Sequence, residues 1–366
     1  MNKNNIPMKM KAVVLTEPGK FEVQQIPVPV PADDEVLCKI MAVSICGSDP
    51  EIFRGDLAGS WPPAYPFVAG HEWAGIVVSA GKNVTEYRPG DRVAGEAHCG
   101  CGKCENCMKG RYTLCLNYGN KPAGHRHYGF IDNGAYAQYQ VYKPKALTPL
   151  PDSLTFAEGS MNDTVGVALH GVELTGVTPG GTAVVIGPGP IGLAAMRLAK
   201  AMGVARVIVV GRGDRLTFAK NVGADEVVDF SKEDPVSAVR KLTNEVGADE
   251  IFECSGAPGT VVQAIKMARR GGKVSMIGVA KDSVIEQVPS KYIAYNEIMV
   301  VGSKANPNVS KRVLQLMASG QVPVKDLISH RFEIDNMANA LDVFVGRKEN
   351  VVKVVICPHG VEEANA

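Results

Sequence analysis

The feature that most constrains the fold is a glycine-rich turn, Gly187-Pro188-Gly189-Pro190-Ile191-Gly192, in the middle of the chain. It follows a short apolar run, 183–186, and opens a helical pattern of apolar residues at Ile191, Ala195, Leu198 and Met202. In this setting the first glycine makes a tight turn, the second admits a pyrophosphate against the backbone, and the third lets helix and strand pack closely. The helix begins with Pro190 and Ile191, both candidate cofactor contacts, and the free N–H groups of its first turn are offered to the phosphates. The turn therefore predicts a dinucleotide site.

The sequence on either side of the turn changes in character. Before about residue 150, short β-rich runs broken by Gly and Pro predict an irregular, mostly antiparallel β domain; they are 12–16, 21–26, 35–43, 72–80, 92–94 and 135–141. From residue 182, apolar strands alternate with helix-length segments, at 183–186, 207–210, 226–228, 250–253, 273–277 and 298–301. This alternation predicts a parallel, doubly wound sheet, so the fold class is α/β. Helical patterns at 310–319 and 335–345 and a β-branched run at 351–356 follow.

The loop after the second of these apolar strands bears on which dinucleotide binds. An NAD site usually carries Asp or Glu here for the ribose 2′-OH, whereas a nearby Arg accommodates the extra phosphate of NADP. Gly211 occupies the acidic position and Arg212 follows it, so the sequence favours NADP over NAD. In the alternative, Asp214 bonds the ribose and Arg212 is merely solvated.

A cluster of cysteines predicts a metal site. Cys101, Cys104, Cys107 and Cys115 have the spacing C-x2-C-x2-C-x7-C, and four thiolates close the tetrahedral shell of a structural zinc. Iron–sulfur sites of the ferredoxin type continue as C-x3-C-P, which this segment does not. A nucleic-acid-binding zinc ribbon is the other alternative.

Charge and composition limit the partners. Lys plus Arg number 39 and Asp plus Glu 38, so the net charge is +1 and no global field attracts nucleic acid or an anionic membrane. No run reaches the roughly 18 apolar residues of a membrane span, and the N-terminus lacks a secretory pattern. The odd number of cysteines, nine, with five between residues 99 and 115, favours metal binding in the reducing cytoplasm.

Several motifs in register resemble the zinc-containing medium-chain alcohol and polyol (sorbitol-like) dehydrogenases over nearly the whole chain. They are Cys46-Gly47-Ser48-Asp49, Gly70-His71-Glu72, the four-cysteine segment, 163–170 and the glycine turn. The resemblance implies a GroES-like catalytic domain, 1–166 and 305–366, with a structural zinc lobe at 99–115, and a Rossmann domain, 167–304.

The resemblance also implies a second zinc, held for catalysis by Cys46, His71 and Asp163. Asp163 lies seven residues before His170, where relatives carry Cys, Glu or Asp. Three mixed ligands leave the fourth position of such a zinc to water or substrate. Taken singly, Cys46 could be a buried apolar residue, His71 a hydrogen-bonded core residue and Asp163 a cap.

Neighbouring residues match the family's catalytic groups. Glu72 matches a carboxylate that can enter the metal shell, Asp49 one that orients the ligand His71, and Ser48 the hydroxyl that bonds the substrate oxygen. Glu51 stands where relatives often carry a proton-relaying His, and it either relays the proton or is a solvated charge. Val167, Gly278 and Val279 match positions that line the nicotinamide, and Lys353 matches a basic residue near the pyrophosphate.

The implied activity is hydride transfer between a nicotinamide cofactor and a secondary alcohol or ketone, with a polyol or sugar derivative expected as substrate. A simple secondary-alcohol dehydrogenase is one alternative. The zinc-free quinone and enoyl reductases are another, although they lack the ligands retained here. A catalytically inactive zinc- and dinucleotide-binding protein is the alternative from a different class. Relatives pair through the last Rossmann strand, so we expect a homodimer or homotetramer.

Overall fold

A computed structural model of the protein describes residues 6–366, which fall into two compact units. Among the described residues, unit 1 comprises 6–163, Ser310–Ala318 and Pro323–Ala366, and unit 2 comprises Thr164–Val309 and Ser319–Val322. The first boundary lies three residues before the expected one, and the chain returns to unit 1 at Ser310 rather than at 305. Residues 1–5, which belong to the predicted first domain, lie outside the described residues.

In chain order the elements are β1 (Lys9–Glu17), β2 (Lys20–Pro27), β3 (Val36–Ser44), α1 (Asp49–Arg54), β4 (Glu72–Ala80), β5 (Arg92–Gly95), β6 (His98–Cys99), α2 (Glu105–Met108), β7 (Arg126–His127), β8 (Tyr139–Tyr142), β9 (Leu147–Pro149), α3 (Phe156–Gly159), α4 (Asn162–Thr175), β10 (Thr182–Ile186), α5 (Pro190–Ala201), β11 (Arg206–Gly211), α6 (Asp214–Asn221), β12 (Glu226–Asp229), α7 (Pro235–Leu242), β13 (Ala248–Glu253), α8 (Thr260–Met267), β14 (Ala268–Met276), α9 (Ser290–Tyr295), β15 (Met299–Gly302), α10 (Ser310–Ala318), β16 (Ile328–Glu333), α11 (Met337–Gly346), β17 (Lys353–Cys357) and α12 (Val361–Ala364).

Unit 1 is built on a mixed, mainly antiparallel sheet in the order β16-β17-β3-β4-β5-β9, with β8 also paired to β3. Its central strand β3 is almost wholly apolar and buried, which suits a strand covered on both faces. Short antiparallel pairs, β1 with β2 and β6 with β7, complete the β structure. This is the irregular β domain that the sequence predicted.

Unit 2 contains a six-stranded parallel sheet in the order β12-β11-β10-β13-β14-β15. The central strands β10 and β11 are rich in Val and Ile and are buried, as expected where helices cover both faces of a parallel sheet. The predicted α/β fold class is therefore confirmed.

In the part of the chain from residue 6 onward, no helix is both long and apolar enough to cross a membrane.

Candidate active site

Strand register in unit 1 brings together residues that are distant in sequence. Ser44, the last residue of β3, lies opposite Glu72, the first residue of β4. On the other side of β3, Val355 of β17 also pairs with Ser44. Because the chain continues from Ser44 to Cys46 and reaches Glu72 through His71, Cys46 and His71 meet just beyond the end of β3.

Ligand atoms of Cys46, His71 and Glu72 all lie within 4.8 Å of one another. The three donors are a thiol sulfur, an imidazole nitrogen and a carboxylate oxygen, which is a donor set that zinc accepts. Burial lowers the pKa of His71, but the negative charges of Cys46, Asp49 and Asp163 outweigh this effect and raise the pKa to about 10. The surroundings of His71 therefore stabilise positive charge, and the residues fit a divalent cation.

Asp163 lies outside this trio, although it is buried and its charge acts on His71. It is the second residue of α4. The preceding segment is fixed to the end of β3, where the hydroxyls of Ser44 and Ser160 are 2.7 Å apart and Ser44 Oγ lies 3.8 Å from Met161 Sδ. The structure thus places Asp163 near the trio. It also makes Glu72 a candidate metal ligand, whereas the sequence indicated only a carboxylate that can enter the metal shell.

Asp49 is fully buried beside the candidate ligands. Its Oδ2 accepts hydrogen bonds from the backbone N–H of Cys46, at 2.8 Å, and from the Tyr136 hydroxyl, at 2.7 Å. Its Oδ1 lies 3.8 Å from Nδ1 of His71. Burial raises the pKa of Asp49, and the charge of His71 opposes that rise. Asp49 therefore fixes the Cys46 backbone and faces the imidazole that the resemblance says it orients.

Ser48 precedes the first turn of α1 but its hydroxyl makes no capping hydrogen bond. The Oγ atom is buried and has no hydrogen-bond partner among the described residues. Buried hydroxyls are usually paired, so this oxygen is available to a ligand. Glu51 lies in α1 with its side chain partly exposed.

Glu72 and Lys353 form a buried ion pair, and each side chain is 3% exposed. The resemblance implied that Lys353 lies near a pyrophosphate, whereas the structure places its ammonium against a carboxylate of the candidate metal cluster. The pyrophosphate contact stays a prediction.

The four predicted cysteines form a second cluster, in which all four sulfurs lie within 4.8 Å of one another. The Sγ atoms of Cys101 and Cys107, and those of Cys104 and Cys115, are 3.9 Å apart. Tetrahedral zinc with bonds of about 2.3 Å requires sulfurs about 3.8 Å apart, so the cluster fits that ion. Backbone N–H groups donate to these sulfurs, among them the N–H of Cys104 to Cys101 at 3.4 Å. Hydrogen bonds from Asn117 and from backbone N–H groups lower the pKa of Cys101 to about 5.

The glycine turn in unit 2 has the geometry that its three glycines predicted. Gly187 has a φ of +97°, which favours glycine. A Cβ on Gly192 would lie 2.1 Å from the carbonyl oxygen of Gly187, whereas a Cβ on Gly189 would meet nothing within 4 Å. Gly189 thus borders open space at the start of α5, where Pro190 is the first helical residue. The backbone here fits a pyrophosphate.

Apart from Lys353, which belongs to unit 1, the other predicted cofactor residues also lie in unit 2. Gly211 ends β11, and a Cβ there would come within 2.5 Å of Pro188. Arg212 is exposed, with its guanidinium carbon 5.8 Å from the centre of the Phe230 ring. Val167 is partly exposed and Val279 is 90% exposed. Gly278 fits closely, because a Cβ there would lie 2.3 Å from the backbone N of Gly256.

Sequence reasoning missed Tyr136 and Glu253. Glu253, at the end of β13, is 1% exposed, and its Oε1 accepts hydrogen bonds from the N–H groups of Ser255, at 2.8 Å, and Gly256, at 3.0 Å. Its position directly after the apolar pair Ile251-Phe252, at the end of a predicted strand, was the signal that could have identified it. Tyr136 carried no such signal, since its role depends on a contact with Asp49 across 87 positions.

Comparisons with known proteins agree with this architecture. Residues 32–152 match the model of the alcohol dehydrogenase GroES-like domain, and residues 190–319 match that of the zinc-binding dehydrogenases. The chain is 33% identical to a sorbitol dehydrogenase of Bacillus subtilis, over 97% of this chain and 99% of that protein. It is 34% identical to an L-threonine 3-dehydrogenase of Bacillus licheniformis, over 95% and 99% of the two chains. A zinc-binding dehydrogenase from Sinorhizobium meliloti, solved with NADP bound, superposes with a TM-score of 0.87 at 33% identity, covering 96% and 99%.

Proposed function

Because the chain belongs to the zinc-binding, NAD(P)-dependent alcohol dehydrogenase family, we propose that it interconverts a secondary alcohol and its ketone, with a polyol or sugar derivative as substrate. The observation that carries this proposal is the buried Oγ of Ser48, which has no hydrogen-bond partner among residues 6–366 and lies two residues after Cys46, a member of the cluster of metal-ligand atoms. Such an oxygen suits a hydrogen bond to a substrate hydroxyl.

Two zinc ions are part of the proposal. Cys46, His71 and Asp163 would hold the catalytic ion, with Glu72 able to join them, and the four-cysteine lobe would hold the structural ion. One thiolate and one carboxylate balance the charge of Zn²⁺, which leaves the catalytic site neutral before substrate binds. In the lobe all four positions are thiolates, so no position is open to substrate.

When bound, zinc would act as a Lewis acid that makes the alcohol hydroxyl more acidic, and the dinucleotide would accept the hydride. The chain's own residues bind and orient the substrate and move its hydroxyl proton. Ser48 accepts the hydrogen bond of the substrate hydroxyl and takes its proton toward solvent. Glu51, partly exposed in the following helix turn, is the proposed next acceptor. Asp49 holds the Cys46 backbone and the His71 ring in place.

NADP is the proposed dinucleotide. Gly187, Gly189 and Gly192 would receive the pyrophosphate at the start of α5. No carboxylate stands at Gly211 to repel a 2′-phosphate, and the exposed Arg212 can neutralise one. The Sinorhizobium meliloti relative carries NADP, which supports this choice.

A polyol is favoured because the relatives named above act on sorbitol and on L-threonine, both of which carry a secondary hydroxyl beside other polar groups. Sites that hydrogen-bond several hydroxyls reject analogues that lack them. A simple secondary-alcohol dehydrogenase is therefore distinguished by comparing substrates with and without vicinal hydroxyls.

A homodimer or homotetramer is proposed through β15, which is an edge strand of the unit 2 sheet. Edge strands offer unpaired N–H and C=O groups to a second copy. A cytoplasmic location stays a prediction from the cysteine pattern.

The test combines zinc content with turnover. Purified protein is analysed for zinc per chain and assayed with NADPH and NADH against sugar alcohols, inositols and simple secondary alcohols with their ketones. We expect two zinc ions and activity on a polyol. Cys46→Ala should lose one zinc and turnover while it still binds dinucleotide, and Cys104→Ser should lose the other zinc and melt at a lower temperature. A single zinc, retained in Cys46→Ala, together with no turnover would favour the inactive binding protein.

A further inference from the structure

A series of buried and partly buried hydrogen bonds in unit 1 begins in the four-cysteine lobe. Tyr112 lies between Cys107 and Cys115, and its hydroxyl donates to Oε2 of Glu96 at 2.5 Å. The other carboxylate oxygen, Oε1, accepts a hydrogen bond from the hydroxyl of Ser310. Glu96 stands just after β5 and is 6% exposed, so both of its oxygens depend on protein donors.

The same series of hydrogen bonds ends beside Asp163, a proposed ligand of the catalytic metal. Ser310, the first residue of α10, accepts a hydrogen bond from Nδ2 of Asn162 at 3.1 Å. Asn162 is 1% exposed and is followed directly by Asp163 at the start of α4. The donors and acceptors alternate consistently, since Ser310 gives its proton to Glu96 and receives one from Asn162.

Glu96 and Asp163 also interact through their charges. Burial raises the pKa of Glu96 to about 7, and the charge of Asp163 acts in the same direction, against the hydrogen bonds from Ser310 and Tyr112. The carboxylate of Glu96 is therefore close enough to Asp163 to respond to it.

From these contacts we infer that Tyr112, Glu96 and Ser310 are positioning residues that couple the four-cysteine lobe to Asn162 and Asp163, and so to the proposed catalytic zinc. The inference rests on the proposed function, because it requires a metal at Cys46, His71 and Asp163.

The physical reason is the cost of a buried acceptor without a donor. Helix α2 of the lobe has no buried residue, so an ion held by the four cysteines would fix the position of Tyr112. Gly100 packs closely against this tyrosine, since a Cβ on Gly100 would lie 2.7 Å from the Cβ of Tyr112. If Tyr112 withdraws, Oε2 of Glu96 loses its donor in a buried site, and the remaining groups must move to satisfy it. Groups that orient metal ligands typically change metal affinity by about 10- to 100-fold when they are removed.

The test measures zinc release from the full-length protein, with a chelator and a metal indicator. The kinetic phase that is absent in Cys46→Ala is assigned to the catalytic site, and the phase absent in Cys104→Ser to the lobe. Tyr112→Phe removes one hydroxyl and keeps the ring. Ser310→Ala removes the hydroxyl that connects Glu96 to Asn162, at a position outside the lobe. Tyr87→Phe is the matched control, since the Tyr87 hydroxyl donates to the Leu147 carbonyl at 2.7 Å and takes no part in the hydrogen bonds from Tyr112 to Asn162.

We expect release from the catalytic site to be about 10-fold faster in Tyr112→Phe and Ser310→Ala than in wild type, with the lobe phase unchanged in Ser310→Ala and both phases unchanged in Tyr87→Phe. Catalytic-site release as slow as in the control, in both variants, would overturn the coupling while leaving the proposed function intact. A wild-type protein with no phase that depends on Cys46 would remove the proposed function and this inference together.

Discussion

The carboxylate of Glu72 and the ammonium of Lys353 form an ion pair that is almost completely removed from solvent, with each side chain 3% exposed. Glu72 begins β4 and Lys353 begins β17, the two strands that flank β3. The pair therefore ties both neighbours of β3 together at the end where Cys46 emerges.

Breaking this pair from one side should be costly. Lys353→Met leaves a buried carboxylate without its cation, and we expect a loss of about 3–5 kcal/mol in the free energy of unfolding. The double variant Glu72→Gln/Lys353→Met should recover most of that loss, because neither charge remains buried. Urea unfolding of the four proteins of this cycle measures the coupling. Additive effects of the two substitutions would show that the pair contributes nothing as a pair.

The roles of the second and third glycines of the turn can be separated by substitution. Gly189→Ala should melt like wild type, because its Cβ would meet nothing within 4 Å, yet it should weaken binding of both NADPH and NADH by filling the phosphate approach. Gly192→Ala should melt at a lower temperature, because its Cβ would lie 2.1 Å from the Gly187 carbonyl oxygen. Thermal melts and fluorescence titrations with both cofactors report the two effects. Normal cofactor affinity in Gly189→Ala would place the pyrophosphate elsewhere.

Arg212→Ala should discriminate between the two dinucleotides. The substitution removes a cation available to the 2′-phosphate, so the Kd for NADPH should rise about 10-fold, equivalent to about 1.4 kcal/mol, while the Kd for NADH stays the same. Arg88→Ala, at an exposed arginine of unit 1, serves as the control for a general loss of positive charge. Equal effects on both cofactors would refute the phosphate role.

Ser48→Ala should separate proton transfer from cofactor binding. In the proposed mechanism the hydroxyl acts on the substrate alone, so kcat should fall by at least about 100-fold while zinc content and dinucleotide affinity remain at wild-type values. Steady-state kinetics, metal analysis and cofactor titration are compared on one preparation. Should kcat be unchanged, the unpartnered hydroxyl would have no part in the reaction.

His359 should make the stability of the protein depend on pH. Its burial, aided by the charge of Lys39, lowers the pKa to about 4 in the fold, despite a hydrogen bond to the carbonyl of Gln138. In the unfolded chain a histidine takes up a proton near pH 6.5. The unfolded state therefore binds more protons between about pH 6.5 and 4, and stability falls as the pH falls through that window.

The variant His359→Asn should remove this contribution, which amounts to as much as about 3 kcal/mol at the acid end. Unfolding free energies of both proteins are measured from pH 7 to 4.5, and the difference between them is plotted, since carboxylates common to both cancel. Parallel profiles would contradict the assignment.

The features that the sequence alone determined are local ones. The glycine turn is contiguous, and its conformation follows from the absence of Cβ atoms at Gly187 and Gly192, as the positive φ and the 2.1 Å approach show. The four cysteines span fifteen residues, so their spacing is enough to predict a cluster. The alternation of apolar strands with helices likewise predicted the parallel sheet, because it reflects burial on both faces of each strand.

Only the tertiary structure decided how Cys46, His71, Glu72 and Asp163 are arranged. Their proximity depends on the register that pairs Ser44 with Glu72 and on the hydroxyl contact between Ser44 and Ser160. The buried pairing of Lys353 with Glu72, and the hydrogen bonds that connect Tyr112 to Asn162, depend in the same way on packing across long sequence separations. Local conformational preferences do not specify such contacts, since they form only when whole strands align and exclude water.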